Sequence, residues 1–292
     1  MDLSGMKYQQ IPPPAYLKNY VRYFYALQTN DQKPSRYTFR TIADGGPGLL
    51  FQPHEQGTYT QSDKLLPELF LYGQSTTHVE TCLNGTFTTI GVLFYPHALK
   101  SVFGLDAHEL TDLCLDLNAE GAKQGYRLSE QLADAQTVEA RVEVLAAYLF
   151  FLVRKNSILT DSKMEYAITQ IVQSGGSLPL KELHKALGLS ERSVERKFKQ
   201  YVGLSPKLFA RICRFQSSLN QIRNLKHDKL SDVAYENEYA DQSHLIRSFR
   251  EFSGMSPNEY QKQFHTIAKN LPIFPSEDPL VGFVLSYGLQ RT

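Results

Sequence analysis

SERSVERKFKQYVGLSP (Ser190 to Pro206) and DQSHLIRSFREFSGMSP (Asp241 to Pro257) decide how this chain is read, because they are two copies of one pattern. At an offset of 51, Ser190 faces Asp241, Val194 faces Leu245, Arg196 faces Arg247, Phe198 faces Phe249, Gly203 faces Gly254, and Ser205-Pro206 faces Ser256-Pro257. Each copy is punctuated as a helix. Ser190 and Asp241 are side chains whose oxygens accept from the amides of a first turn. Gly203 and Gly254 suit the left-handed residue that ends a helix. Ser205 and Ser256 then start a new helix with proline at its first position.

Upstream of each copy lies a shorter amphipathic segment, Leu180 to Leu187 ended by Gly188, and Leu230 to Asn237 followed by Glu238-Tyr239-Ala240. A short helix, a tight turn and a second helix make a helix-turn-helix unit, and two of them stand about fifty residues apart. In the first copy Val194, Phe198 and Tyr201 form an apolar stripe, while Arg192, Glu195, Arg196 and Lys199 share another face. The second copy repeats this with Leu245, Phe249 and Phe252 against Ser243, Ile246, Arg247 and Arg250. One polar helix face is ordinarily just solvated; two in register, each with an arginine at the equivalent place, point to a shared partner.

Between the copies, PKLFARICRFQSSLNQIRNL (206–225) has no internal Gly or Pro and spaces Phe209, Ile212, Phe215, Leu219 and Ile222 helically. Twenty residues make about 30 Å of helix, close to the roughly 34 Å between successive major-groove segments on one face of DNA. Charge agrees with a nucleic-acid partner. Residues 178–264 carry 15 Lys/Arg against 10 Asp/Glu, whereas the whole chain is nearly neutral with 31 against 30, so the basic surplus is concentrated in this segment.

These residues resemble the AraC/XylS family of transcriptional regulators over residues 168–264. ADQSHLIRSFREFSGMSPNEY is the most specific piece, and LSERSVERKFKQYVGLSPKLF is also close to the family pattern. The resemblance implies an all-helical domain of two helix-turn-helix units joined by a long helix. It places Arg192, Glu195 and Arg196 of the first recognition helix, and Gln242, Ser243, His244 and Arg247 of the second, at DNA. The side chains fit: Arg pairs bidentately with guanine, Gln with adenine, and Glu accepts from cytosine. Lys199 and Arg250, one turn on, are expected at phosphates, as are the amides near Ser205 and Ser256. The chain departs from the family at His184, where a small residue is usual, and at Glu238-Tyr239, where Gly-Phe is usual. Glu238 must therefore take positive φ or change the turn.

The N-terminal half reads differently. VRYFYAL (21–27), RYTFRTI (36–42), GLLFQP (48–53), ELFLYG (68–73), THVETCL (77–83) and TFTTIGVLFYP (86–96) are strand-like. Asn84-Gly85 reads as a hairpin turn with both residues at positive φ. Helical stretches are expected at 97–103, 107–113, 127–134 and 137–155, the last packing on the barrel or pairing with a second copy. The fold class is therefore α+β, with a β-rich barrel or roll and flanking helices followed by an all-α domain. The expected division is 1–155, a ligand-sensing or dimerisation domain; 156–265, the double helix-turn-helix domain; and 266–292, a tail in which LVGFVLSY reads either as an added strand docking on the N-terminal domain or as a mobile end.

DGGPGLLFQP and GVLFYPHALKSVFG look like pieces of the cupin-like sensor domains that precede such DNA-binding units. His54, His78, His97 and His108 are isolated, with no metal-ligand spacing, so no metal or cofactor is expected and no ligand-binding residue is assigned. No nucleophile elbow, P-loop or dinucleotide motif occurs, and the chain is not expected to be an enzyme. Cys82, Cys114 and Cys213 are far apart and odd in number, as reduced thiols of a cytoplasmic protein. No secretion signal or membrane span is visible. The expected partners are double-stranded DNA, then RNA polymerase, a small-molecule effector and a second copy of the chain, with no membrane. The competing reading is a metal-binding or enzymatic cupin-type domain carried on a DNA-targeting module.

Overall fold

The computed structural model describes residues 6–29, 36–62, 64–119, 127–156, 160–224, 229–268 and 286–287. Its first half folds as two antiparallel layers. The strands are β1 (Met6–Ile11), β2 (Val21–Thr29), β3 (Arg36–Thr41), β4 (Gly48–Phe51), β5 (Thr58–Gln61), β6 (Lys64–Leu65), β7 (Leu69–Tyr72), β8 (Val79–Asn84), β9 (Thr88–Phe94), β10 (Cys114–Asp116) and β11 (Ser286–Tyr287). One sheet runs β1-β2-β9-β4-β7-β10, and the other β11-β3-β8-β5-β6.

The central strands of the first sheet, β2, β9, β4 and β7, are covered on both faces and therefore read as nearly continuous apolar runs instead of alternating ones. On β2, Phe24 and Ala26 join a core with Leu49, Phe51, Leu69, Leu71, Ile90 and Val92. That core is closed by α1 (Ala98–Ser101), α2 (Leu128–Asp134) and α3 (Val138–Lys155), through Leu99, Leu132, Leu145 and Leu149. The alternate residues Tyr23, Tyr25 and Leu27 are also buried, facing away from those helices. Of the two fates expected for 137–155, packing on the barrel is thus the one its apolar stripe takes.

Asn84-Gly85 corrects an expectation. Only Gly85 has positive φ, at 96°, and β8 and β9 belong to different sheets. The turn carries the chain from one layer to the other and does not close a hairpin. Of the two readings of the tail, its described part takes the strand: this is only β11, whose Ser286 and Tyr287 pair with Arg40 and Phe39 of β3; the rest of LVGFVLSY lies outside the described residues. β1, β5, β6 and β10 have no counterpart among the expected strands.

The second half is helical: α4 (Ser162–Gln173), α5 (Leu180–Leu187), α6 (Glu191–Tyr201), α7 (Pro206–Arg223), α8 (Leu230–Glu236), α9 (Gln242–Ser253) and α10 (Pro257–Ala268). One core runs through all of it, including Val194, Phe198, Phe209, Phe215, Leu245, Phe249 and Phe252. Two residues of the sheet region, Ile42 and Ala43, are buried in this same core. They are the first of several contacts between the halves.

Candidate nucleic-acid interface

Local chemistry sets both recognition helices as the repeat requires. Ser190 Oγ accepts from the Ser193 amide at 3.3 Å to start α6, and Asp241 Oδ1 accepts from the His244 amide at 2.7 Å to start α9. Gly203 (φ 87°) and Gly254 (φ 71°) follow the helix ends in the left-handed region. α5 and α6 are joined through Gly188 at φ 63°, and α8 and α9 through Glu238 at φ 54°. Glu238 therefore takes the glycine-like conformation and leaves the turn unchanged. Its strain, roughly 1–2 kcal/mol for a residue with Cβ, is offset by Arg214, whose guanidinium donates to the Glu238 carbonyl at 3.3 Å.

Between the units α7 is unbroken over 18 residues, about 27 Å of helix. It is packed against both. Phe209 meets Phe198 of α6 with ring centroids 6.1 Å apart, and Phe215 meets Phe249 and Phe252 of α9 at 5.1 and 5.4 Å. Arg211 adds an ion pair to Glu251 at 2.5 Å. A helix pinned on both sides by fully buried aromatic rings has little freedom to bend.

The candidate side chains are open to solvent. Arg192, Glu195, Arg196 and Lys199 are exposed on α6, as are Gln242, Ser243, Arg247 and Arg250 on α9. His244 differs: it is half-buried, with its ring edge-on to Tyr239 at 5.2 Å. Each helix thus sends one face into its own core and the opposite face outward. The helix start at Ser256 departs from the phosphate-binding expectation. Glu259 Oε2 accepts from both the Ser256 amide (2.8 Å) and its hydroxyl (2.6 Å), so a carboxylate of the chain itself occupies that end.

The far ends of both recognition helices are held by the sheet domain. Thr111 Oγ1 donates to the Gly203 carbonyl at 2.9 Å, and a Cβ on Gly203 would meet Thr111 Oγ1 at 2.7 Å. At the equivalent Gly254, a Cβ would meet the His78 ring at 2.6 Å. Ala43 donates its amide to the Phe252 carbonyl at 3.1 Å and accepts from Gln216 Nε2 of α7 at 2.5 Å. These contacts fall at the C-terminal ends of α6 and α9, opposite the N-terminal ends that helix-turn-helix proteins insert into the groove. None of these docking residues is distinguished in the sequence. The only hint is the Gly-Pro punctuation beginning at Asp44, beside Ile42-Ala43.

Two of the four histidines of the sheet domain make local hydrogen bonds. His97 Nε2 bonds to the Asn19 carbonyl at 3.1 Å, and burial lowers its pKa to about 4, so it is neutral at neutral pH. His54 Nε2 bonds to the Leu66 carbonyl at 3.3 Å. Among the described residues no group of three or more His, Cys, Asp or Glu is placed to hold a metal ion, and no helix is long and apolar enough to cross a membrane.

Two capped units on one helical strut, with equivalent arginines outward, define a double helix-turn-helix protein. Residues 183–263 match a family described as a helix-turn-helix domain, and residues 9–116 match a domain of unknown function (DUF6597). The HTH-type transcriptional activator RhaS of Escherichia fergusonii is 27% identical over 135 residues, 44% of this chain and 48% of its own length. An uncharacterized HTH-type transcriptional regulator of Haemophilus influenzae is 26% identical over 105 residues, 36% of this chain and 35% of its own. The chain thus spans half or less of the length of these curated relatives. A crystal structure of ToxT from Vibrio cholerae O395 aligns over 88% of this chain and 97% of that one, with 10% identity and a TM-score of 0.41. The helical domain of this chain is a double helix-turn-helix domain.

Proposed function

We propose that the chain is a sequence-specific DNA-binding transcriptional regulator whose two recognition helices read successive major grooves, under control of its N-terminal domain. The observation that carries this reading is the placement of Arg196 and Arg247 at equivalent, exposed positions on helices attached to one unbroken strut. Arg192, Glu195 and Arg196 read one half-site, and Gln242, Ser243, His244 and Arg247 the other. Lys199 and Arg250 set the register on phosphates. Residues 156–265 form the DNA-binding domain, residues 1–155 the sensing or dimerising domain, and 266–292 an appended tail. RhaS is named a transcriptional activator; by likeness, the partners here are duplex DNA, RNA polymerase and a small molecule or second copy, in the cytoplasm, without an enzymatic step.

Selection of binding sites from random duplex DNA tests the reading. The expected outcome is a bipartite site with two conserved blocks about one helical turn apart. Recovery of a single block, or no enrichment, would overturn it.

A further inference from the structure

Between the two sheets lies a cavity of about 100 Å³ walled by Tyr8, Tyr25, Tyr59, Phe70 and Tyr72, with Asp112 at its edge. Two glycines shape the wall. A Cβ on Gly91 would stand 2.0 Å from the Tyr25 ring, and one on Gly48 would stand 2.1 Å from the Tyr72 hydroxyl. Each ring is folded flat over a strand that has no side chain there, which leaves the space between the layers open. An engineered apolar cavity of about 150 Å³ takes up benzene, so this one is of single-ring size.

Its chemistry selects by charge. The described lining residues include no Lys, Arg or His. The one charged group, Asp112, spends its two oxygens on the Thr76 amide and hydroxyl, both at 2.7 Å. Burial raises the phenols of Tyr25, Tyr59 and Tyr72 above their ordinary range, so they remain neutral. A carboxylate placed here would lose its hydration and gain no counter-charge. A neutral aromatic ring gains stacking contacts from five aromatic walls and hydrogen-bonding partners among the phenols.

The same walls lead to the recognition helices. Thr41, Val79 and Asp112 line the cavity. Each is one residue from a contact described above: Ile42 in the helical core, His78 on Gly254, and Thr111 on Gly203. Gly203 and Gly254 are equivalent positions of the sequence repeat, so the sensor domain grips both recognition helices at the same cap.

We propose that this cavity binds an uncharged single-ring aromatic molecule bearing a hydroxyl or carbonyl group, and that occupancy reaches both recognition helices through their cap glycines. The second half of this proposal rests on the DNA-binding reading; the first does not.

Titration calorimetry on the full chain with phenol, benzyl alcohol, benzamide and benzoate tests the first half. At least one neutral probe is expected to saturate with one site per chain, and benzoate to bind at least about tenfold more weakly than its isostere benzamide. Val79→Phe, which puts a ring into the cavity, is expected to lose binding while melting as the unmodified chain does. Failure of all three neutral probes to saturate at millimolar concentration, or parity of benzoate with benzamide, overturns the ligand class without needing any variant. Undiminished binding by Val79→Phe overturns the location. For the second half, the bound probe is expected to change affinity for the selected DNA site, and Thr111→Val combined with His78→Ala to keep probe affinity while losing most of that change. A full response in the double variant overturns the route. Probe binding by a chain that enriches no DNA would defeat the DNA reading and the route together while leaving the cavity assignment standing.

Discussion

The two helix-turn-helix units share one pattern yet reach it by different means. The first turns on Gly188, which takes φ 63° with open space around its Cβ position. The second turns on Glu238 at φ 54° and compensates with a denser set of contacts. Arg214 reaches the Glu238 carbonyl, Arg211 pairs with Glu251, and Tyr239 meets both Ser218 (3.4 Å) and Ser248 (3.3 Å) through its hydroxyl. The first unit is tied instead to the linker before α4, through the Lys197 ammonium and Asp161 at 2.5 Å. Equivalent backbones therefore do not imply equivalent sources of stability: one unit is cheap at its turn, the other is strained there and braced by α7.

The largest effects should erase the difference. Phe198→Ala and Phe249→Ala remove equivalent, fully buried rings, and each is expected to cost about 3–5 kcal/mol in urea unfolding. If either costs under about 1 kcal/mol, its unit does not share the common core.

A second effect concerns the second unit alone, because Ala43, beside Asp44, docks on Phe252. Burial raises the Asp44 carboxyl from 3.8 to about 7, while the Gly46 amide and Arg22 hold it down. A carboxyl with a raised folded pKa binds its proton more tightly in the native state. Its contribution is therefore fully present below about pH 4 and is lost as pH rises through about 7. His97, depressed to about 4 from 6.5, acts oppositely: its contribution is present above pH 6.5 and is lost as pH falls through about 4. The gain in stability of Asp44→Asn over the unmodified chain should accordingly be larger at pH 8 than at pH 5, by up to about 3 kcal/mol. Equal differences at the two pH values would show that the carboxyl is ionised throughout.

Smaller effects separate the units at DNA. Arg196→Ala and Arg247→Ala should each weaken binding by roughly 1–3 kcal/mol and relax base choice in a different half-site, while Lys199→Ala mainly lowers the salt slope. Loss of preference in the same block for both arginines would contradict the assignment. The smallest effect tests the turns. Gly188→Glu should destabilise by about 1 kcal/mol, and Glu238→Gly should stabilise by a similar or smaller amount, read from urea midpoints. Opposite signs would show that bracing by Arg214 outweighs backbone strain.

Much of the helical domain was legible because its determinants are local. Ser190, Asp241, Gly203 and Gly254 act on amides and carbonyls within a few residues of themselves, and Phe209, Phe215 and Ile222 mark one face of α7 by period alone. The recognition faces were legible for the same reason, twice over. The sheet domain was less so. Asn84-Gly85 announces a turn but not which strands it joins, and β2 does not alternate because both its faces are buried.

What the amino-acid order determined by itself is the repeat, its capping and the outward arginines, since these follow from periodicity and hydrogen bonds near in sequence. Tertiary structure alone decided that Thr111 and His78 stand on the two cap glycines, that Ile42 and Ala43 enter the helical core, and that five aromatic side chains leave a cavity between the sheets. The contacts between the two halves join residues about 90 to more than 200 positions apart. Their formation depends on how whole layers pack, and no local pattern encodes it.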